Sequence, residues 1–163
     1  MSLWKQSQFS HSTPLPPHIT QESAIKLLHN HDELIRLNPL IVDYKPAQMP
    51  YHAPTDESHY TWYELTDRIT YFPGLSRNVT YHAGFLDMPE GLQTHVFAPA
   101  GLEIRENWYI SGPTEQSGGL TLCEDVDMNC NILLTSFVKK NLNASHATLT
   151  RRLLEANSSL SKE

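Results

Sequence analysis

Two glutamates stand where a strand should carry only apolar side chains. Between residues 102 and 110, Leu102, Ile104, Trp108 and Ile110 alternate with Glu103, Arg105, Asn107 and Tyr109, and Glu106 falls in the apolar row. Between 120 and 128, Leu120, Leu122, Val126 and Met128 alternate with Thr121, Cys123, Asp125 and Asp127, and Glu124 takes the same place. Strand side chains alternate between faces, so both carboxyls should point inward. If the loop from Gly112 to Gly119 is symmetric about Glu115, Glu106 lies directly opposite Glu124, with Cβ atoms about 4.5–5.5 Å apart. Two desolvated carboxyls at that range repel, at least one pKa rises, and a shared proton makes an acid/base device. The competing readings are a β-bulge, which would turn either group to solvent, and neutralisation by Arg105, Arg151 or Arg152.

The same parity selects the walls around that pair. In the strand from Thr61 to Tyr71, Tyr63, Leu65, Asp67, Ile69 and Tyr71 form the inner row; in the next, Val79, Tyr81, Ala83 and Phe85 do. The strand from Gly91 to Ala98 is ambiguous by composition. A two-residue turn at Pro99-Ala100 would pair Phe97 with Leu102 and His95 with Ile104, bringing Gln93, His95 and Phe97 inside and Gln93 beside Glu106. Candidate catalytic residues are therefore Glu106, Glu124 and His95. Candidate ligand contacts are Tyr63, Asp67, Tyr81, Phe85, Gln93, Phe97, Trp108, Leu122 and Phe137. His95 reads first as a hydrogen-bonded core histidine and second as a proton carrier. Asp67 reads first as a structural partner of Arg68.

Other chemistries find no support. His11, His18, His29, His52 and His59 read as solvated loop or helix positions, and no HExxH, facial triad or zinc spacing occurs among the nine histidines, so no metal is expected. There is no glycine-rich phosphate loop and no Gly-x-Ser-x-Gly elbow, so no organic cofactor is expected either. Cys123 and Cys130 lack a second pair and read as ordinary thiols, Cys123 on the outer row.

The elements that must position these residues follow from the pattern. An alternating start around Trp4 and Phe9 stops at Thr13-Pro14-Leu15-Pro16-Pro17, a strand and a stiff turn. Thr20 can cap a helix, Asn30-His31-Asp32 interrupts it, and Asn38-Pro39 ends a second short one. Residues 46–57 read as a connecting loop. Period-two patterning from Ser58 to Asn129, broken by short turns, predicts antiparallel hairpins. From Asn131 to about Leu154 neither Gly nor Pro occurs, and Leu134, Phe137, Val138, Leu142, Leu149 and Leu153 recur at helical spacing. Residues 157–163 read as a frayed tail.

The 163 residues suit one domain, here residues 1–156. Eighteen acidic against twelve basic residues give a net charge of −6, which argues against a nucleic-acid or anionic-membrane binder. No apolar run reaches the ~20 residues of a membrane span, and the first residues lack a secretory h-region. A cytoplasmic protein is expected, with a homodimer left open.

One strand, two short helices, five or six antiparallel strands and a long helix make an α+β chain whose curved sheet needs that helix to cover it. This resembles the helix-grip fold of the START and polyketide-cyclase-like superfamily, also seen in the birch-pollen-allergen family. The strings His31-Asp-Glu-Leu-Ile-Arg-Leu-Asn-Pro39, Trp62-Tyr-Glu-Leu-Thr-Asp-Arg-Ile69, Gly91-Leu-Gln-Thr-His-Val-Phe-Ala-Pro99, Gly101-Leu-Glu-Ile-Arg-Glu-Asn-Trp108 and Glu124 to Lys140 are similar to an uncharacterised family of small fungal proteins of that superfamily. The resemblance implies a cavity between sheet and helix and brings no catalytic residues with it. Two functions fit: a cofactor-independent enzyme that cyclises, isomerises or dehydrates a polyketide- or terpenoid-like intermediate, or a non-catalytic carrier of a lipid or other hydrophobic ligand. The inward carboxylates favour the enzyme.

Overall fold

A computed structural model describes residues 2–113, 115 and 118–160. Seven antiparallel strands form one curved sheet: β1 (Trp4–Pro14), β2 (Ile41–Pro46), β3 (Thr61–Phe72), β4 (Leu75–Met88), β5 (Gly91–Phe97), β6 (Glu103–Ser111) and β7 (Thr121–Asn131). Their spatial order is β1-β7-β6-β5-β4-β3-β2. Two short helices, α1 (Gln21–His29) and α2 (His31–Leu37), carry the chain from one sheet edge to the other, and α3 (Thr135–Leu160) closes it. This is the helix-grip architecture. Among the described residues no helix is long and apolar enough to cross a membrane.

Local chemistry explains the breaks. Thr20 and Ser23 form a capping box: the Ser23 N–H donates to Thr20 Oγ1 at 3.1 Å, and the Thr20 N–H donates to Ser23 Oγ at 3.1 Å. Asn30 ends α1 and starts α2, its side-chain oxygen accepting from the Glu33 N–H at 3.3 Å. The β2 strand is not foreshadowed by the pattern; Ile41–Pro46 is an edge strand paired on one side only, where its closing proline breaks no ladder. Helix α3 runs past Leu154 to Leu160, since nothing in that run stops a helix. Residues 161–163 of the expected frayed tail lie outside the described residues.

Two registers differ from expectation, and both matter for the site. The β5–β6 connection is a 3-10 turn at Pro99–Gly101, with Ala100 at φ 60° and Gly101 at φ 70°, closed by the Ala98 N–H donating to the Leu102 carbonyl at 2.9 Å. The additional residue pairs Phe97 with Glu103 and His95 with Arg105. A one-residue change exchanges the faces of a strand. Leu92, Thr94 and Val96 therefore face the helix, and Gln93, His95 and Phe97 face outward. Gln93 pairs with Asn107, not Glu106. Between β6 and β7, Glu106 opposes Val126 and Glu124 opposes Trp108. That two-residue change keeps both glutamates inward and makes them diagonal neighbours.

The core lies between the sheet's inner face, α1 and α2, and α3. Leu28, Ile35, Leu65, Ala83, Leu92, Trp108, Ile110, Leu122, Leu149 and Leu153 are buried there. The outer face carries a smaller core under residues 47–60, where Trp62 is buried with its Nε1 donating to the Glu57 carbonyl at 3.1 Å. Gly84 is required opposite Trp62, because a Cβ there would lie 2.8 Å from the indole. Phe97 stacks on this Trp62 at 6.2 Å.

Leu149 is buried and Phe137 half-buried, stacked at 5.3 Å on Tyr71 at the open end of the cavity. Leu149→Ala should cost about 2–5 kcal/mol, and Phe137→Ala less than the ~3–5 kcal/mol of a fully buried phenylalanine. Urea denaturation of both variants checks the order.

Candidate functional site

Sheet, short helices and α3 leave a cavity of about 360 Å³ whose walls are mainly apolar. Three ionisable groups gather on one side of it. Glu106 from β6 and His146 from α3 both reach the cavity, and Glu124 from β7 stands behind His146. The Nδ1 of His146 hydrogen-bonds Glu124 Oε2 and lies 3.8 Å from Glu106 Oε2. Glu106 Oε2 also accepts from Trp108 Nε1 at 3.0 Å. Across the cavity, the Tyr81 hydroxyl donates to Asp67 Oδ1 at 2.9 Å.

Strand pairing and helix pitch produce this cluster. Glu106 and Glu124 share the inner face two residues out of register. His146 lies four residues after Leu142 and three before Leu149, on the apolar stripe that α3 presents to the sheet. Sequence reasoning missed His146, although a histidine inside an apolar stripe is the same anomaly that singled out the two glutamates.

The electrostatics follow from burial and from the neighbouring charges. Burial alone would lower the His146 pKa, but the Glu106 and Glu124 carboxylates outweigh it and push the group up to about 9. Burial raises Glu106 to about 7, with the Glu124 charge adding and the His146 charge and Trp108 N–H opposing. Burial likewise raises Asp67 to about 6 against the Tyr81 hydroxyl and His146, and it drives Tyr81 well above its ordinary value. At neutral pH the cavity thus holds an imidazolium hydrogen-bonded to Glu124 beside a Glu106 poised between its two states.

Other expected site residues are distributed more widely. Asp67, Tyr81, Phe85, Glu106, Trp108 and Phe137 line the cavity. Tyr63 points inward but is taken by His31, whose Nδ1 lies 2.9 Å from the Tyr63 hydroxyl and whose Nε2 lies 2.7 Å from Asp87. Leu122 is buried in the core away from the cavity. Asp67 bonds Tyr81 rather than Arg68, which lies on the other face of β3. The inward placement of Gln93, His95 and Phe97 is corrected by the β5 register. His95 is 0% exposed on the outer side, its Nδ1 2.6 Å from Glu57 and its Nε2 2.6 Å from Glu103. It ties residues 47–60 to the sheet and does not reach the cavity.

Among the described residues, Glu106, Glu124 and His146 are also the group whose donor atoms could hold a metal ion, all within 4.8 Å of one another. A metal needs the histidine nitrogen free of its proton. Here Nδ1 is engaged by Glu124, and a cation would have to displace the proton that the two carboxylates favour on the imidazole.

Asp67, Glu106 and His146 each hold a proton in the fold at pH values where the unfolded chain releases it. Stability is therefore lost as pH rises, between 3.8 and about 6 for Asp67, 4.5 and about 7 for Glu106, and 6.5 and about 9 for His146. Denaturation midpoints should fall from mildly acidic to mildly alkaline pH, and Glu106→Gln should flatten the part between 4.5 and about 7.

Solved structures share this architecture at low identity. TTHA0849 from Thermus thermophilus superposes with a TM-score of 0.61 at 15% identity, over 96% of this chain and 99% of that one. The di-domain ARO/CYC StfQ from the steffimycin biosynthetic pathway gives 0.65 at 14% identity, over 93% of this chain and 50% of that protein. Ara h 8.0201 gives 0.58 at 10% identity, over 93% and 99%. No curated protein matches the chain. These likenesses establish the fold. The family model described as "Domain of unknown function (DUF7053)" matches residues 4–159, and the chain belongs to that family.

Proposed function

We propose that this protein is a cofactor-independent enzyme that takes a small hydrophobic polyketide- or terpenoid-like intermediate into its cavity and promotes cyclisation, isomerisation or dehydration. The observation that carries this reading is the Glu106–His146–Glu124 cluster opening into a mainly apolar cavity. Ligand storage needs no such cluster, and burying these groups costs stability that a catalytic role would justify. The fold is shared with the di-domain ARO/CYC StfQ, and a place in fungal secondary metabolism is part of the proposal.

Each group has a role that its surroundings support. Glu124 orients His146 by holding Nδ1, which leaves Nε2 for the ligand. The imidazolium donates to a substrate carbonyl oxygen. Glu106, with a pKa near 7, takes the proton from the adjacent carbon, and the electron pair moves onto that oxygen as an enol. The enol carbon then attacks a second carbonyl of the same chain, closing a ring. The enol O–H returns its proton to His146 and the new alkoxide takes one from Glu106; dehydration follows when Glu106 removes the remaining proton from the nucleophilic carbon and His146 gives its proton to the departing hydroxyl, which leaves as water. The apolar walls, including Phe85, Trp108 and Phe137, select the folded conformer that brings both carbonyls together. The second reading, a hydrophobic-ligand carrier, is favoured by the apolar character of those same walls.

Native mass spectrometry of freshly purified protein identifies the class of bound ligand, and turnover is then assayed on intermediates of that class. Glu106→Gln and His146→Gln should each lower turnover about 10²–10⁴-fold with ligand affinity nearly unchanged. Turnover of an intermediate that does not change in either variant removes the acid/base assignment. Tight binding without conversion in the unmodified protein establishes the carrier.

A further inference from the structure

The open end of the cavity is surrounded by apolar side chains that face solvent. Leu133 is 86% exposed, Phe72 67% and Leu3 61%, joined by Trp4, Leu75 and Ile132. They form one patch. The Ile132 N–H donates to the Leu3 carbonyl at 2.8 Å, and the Trp4 indole packs over Gly101, since a Cβ there would meet it at 2.6 Å. Tyr71, next to Phe72, stacks on Phe137 just inside. The patch therefore runs from the start of β1 across the β5–β6 turn and the start of α3 to the tip of the β3–β4 hairpin.

Charge around this patch contradicts the overall balance. Segments 2–5, 68–77, 98–102 and 131–140 carry Lys5, Arg68, Arg77, Lys139 and Lys140 and no acidic residue. All five are exposed, and none is in an ion pair among the described residues. Two acidic residues border these segments, Asp67 bonded to the Tyr81 hydroxyl and Glu103 to His95. The net −6 that argued against an anionic surface conceals a cationic, apolar mouth.

We infer that this mouth docks on an anionic phospholipid surface, with Leu133, Phe72 and Leu3 entering the headgroup boundary and the five cations facing the lipid phosphates. Separate protruding side chains on several loops suit a fluid surface, which needs no shape complement. A second copy of the chain would bring five cations against five in a two-fold interface. The cavity opens at the patch, so docking gives a hydrophobic ligand a path that avoids water. The inference builds on the ligand-binding part of the proposal and not on catalysis.

Co-sedimentation with phosphatidylcholine vesicles, with and without phosphatidylserine, tests it without any ligand or turnover. The full chain should bind the phosphatidylserine vesicles and not the neutral ones, and high salt should weaken binding. Lys139→Glu and Lys140→Glu should each reduce binding roughly five-fold or more, and Leu133→Glu about tenfold. Lys26→Glu, on α1 and outside the patch, should have little effect. Absence of binding, or equal binding by Leu133→Glu, overturns the inference. So does a dimer in sedimentation velocity that Leu133→Glu dissolves, or binding to an acidic carrier protein with none to vesicles. Vesicle binding retained by Glu106→Gln separates this result from any failure of the catalytic reading.

Discussion

The ion pair between β7 and α3 constrains everything around it. Glu124 and His146 are both withdrawn from water, and their mutual hydrogen bond is what makes that burial tolerable. Removing either partner would strand the other in a medium that solvates it poorly. The pair thereby ties α3 to β7 at the cavity's edge, midway along the long helix. Glu106 enters the same balance 3.8 Å away: its burial favours the neutral acid and the His146 charge opposes it. A single contact thus serves the seating of the helix and the acid/base character of the cavity.

A second buried ionic group on the outer face has a different architecture. His95 is flanked by Glu57 and Glu103, and Arg105 donates to Glu57 at 2.9 Å. Both ring nitrogens of His95 are engaged at once. An open pocket of about 580 Å³ lined by Tyr60, Gln93, Arg105 and Asp127 lies beside it, but His95 itself is fully enclosed, and its consequence is mechanical: residues 47–60 are pinned over Trp62 and the outside of β5 and β6.

Most of the fold was legible because strands with one apolar face announce themselves. In β3, β4, β6 and β7 the two rows differ sharply, and Asp67, Tyr81, Glu106 and Glu124 could be placed by parity alone. In β5 they do not differ: Leu92, Thr94 and Val96 are hardly more apolar than Gln93, His95 and Phe97, so the flanking turns decide. The turn into β6 depends on the left-handed backbone of Ala100, which nothing in its residue type signals. The register of β6 on β7 depends on a loop whose length does not reveal its centre. His146 was readable from its place on the helix stripe, whereas the burial of Glu57 was not, because a loop has no period to read.

The β5–β6 turn has an evolutionary meaning as well. Its three residues hold β6 in step with a β5 whose inward row, Leu92, Thr94 and Val96, the β4–β5 hairpin already fixes. A deletion of one residue there would set the two hairpins against each other, and a β-bulge in β5 or β6 would have to absorb it. Where that bulge fell would decide whether Glu106 kept its inward place. At this place a change of length, more than any change of side chain, would rewrite the polarity of one cavity wall.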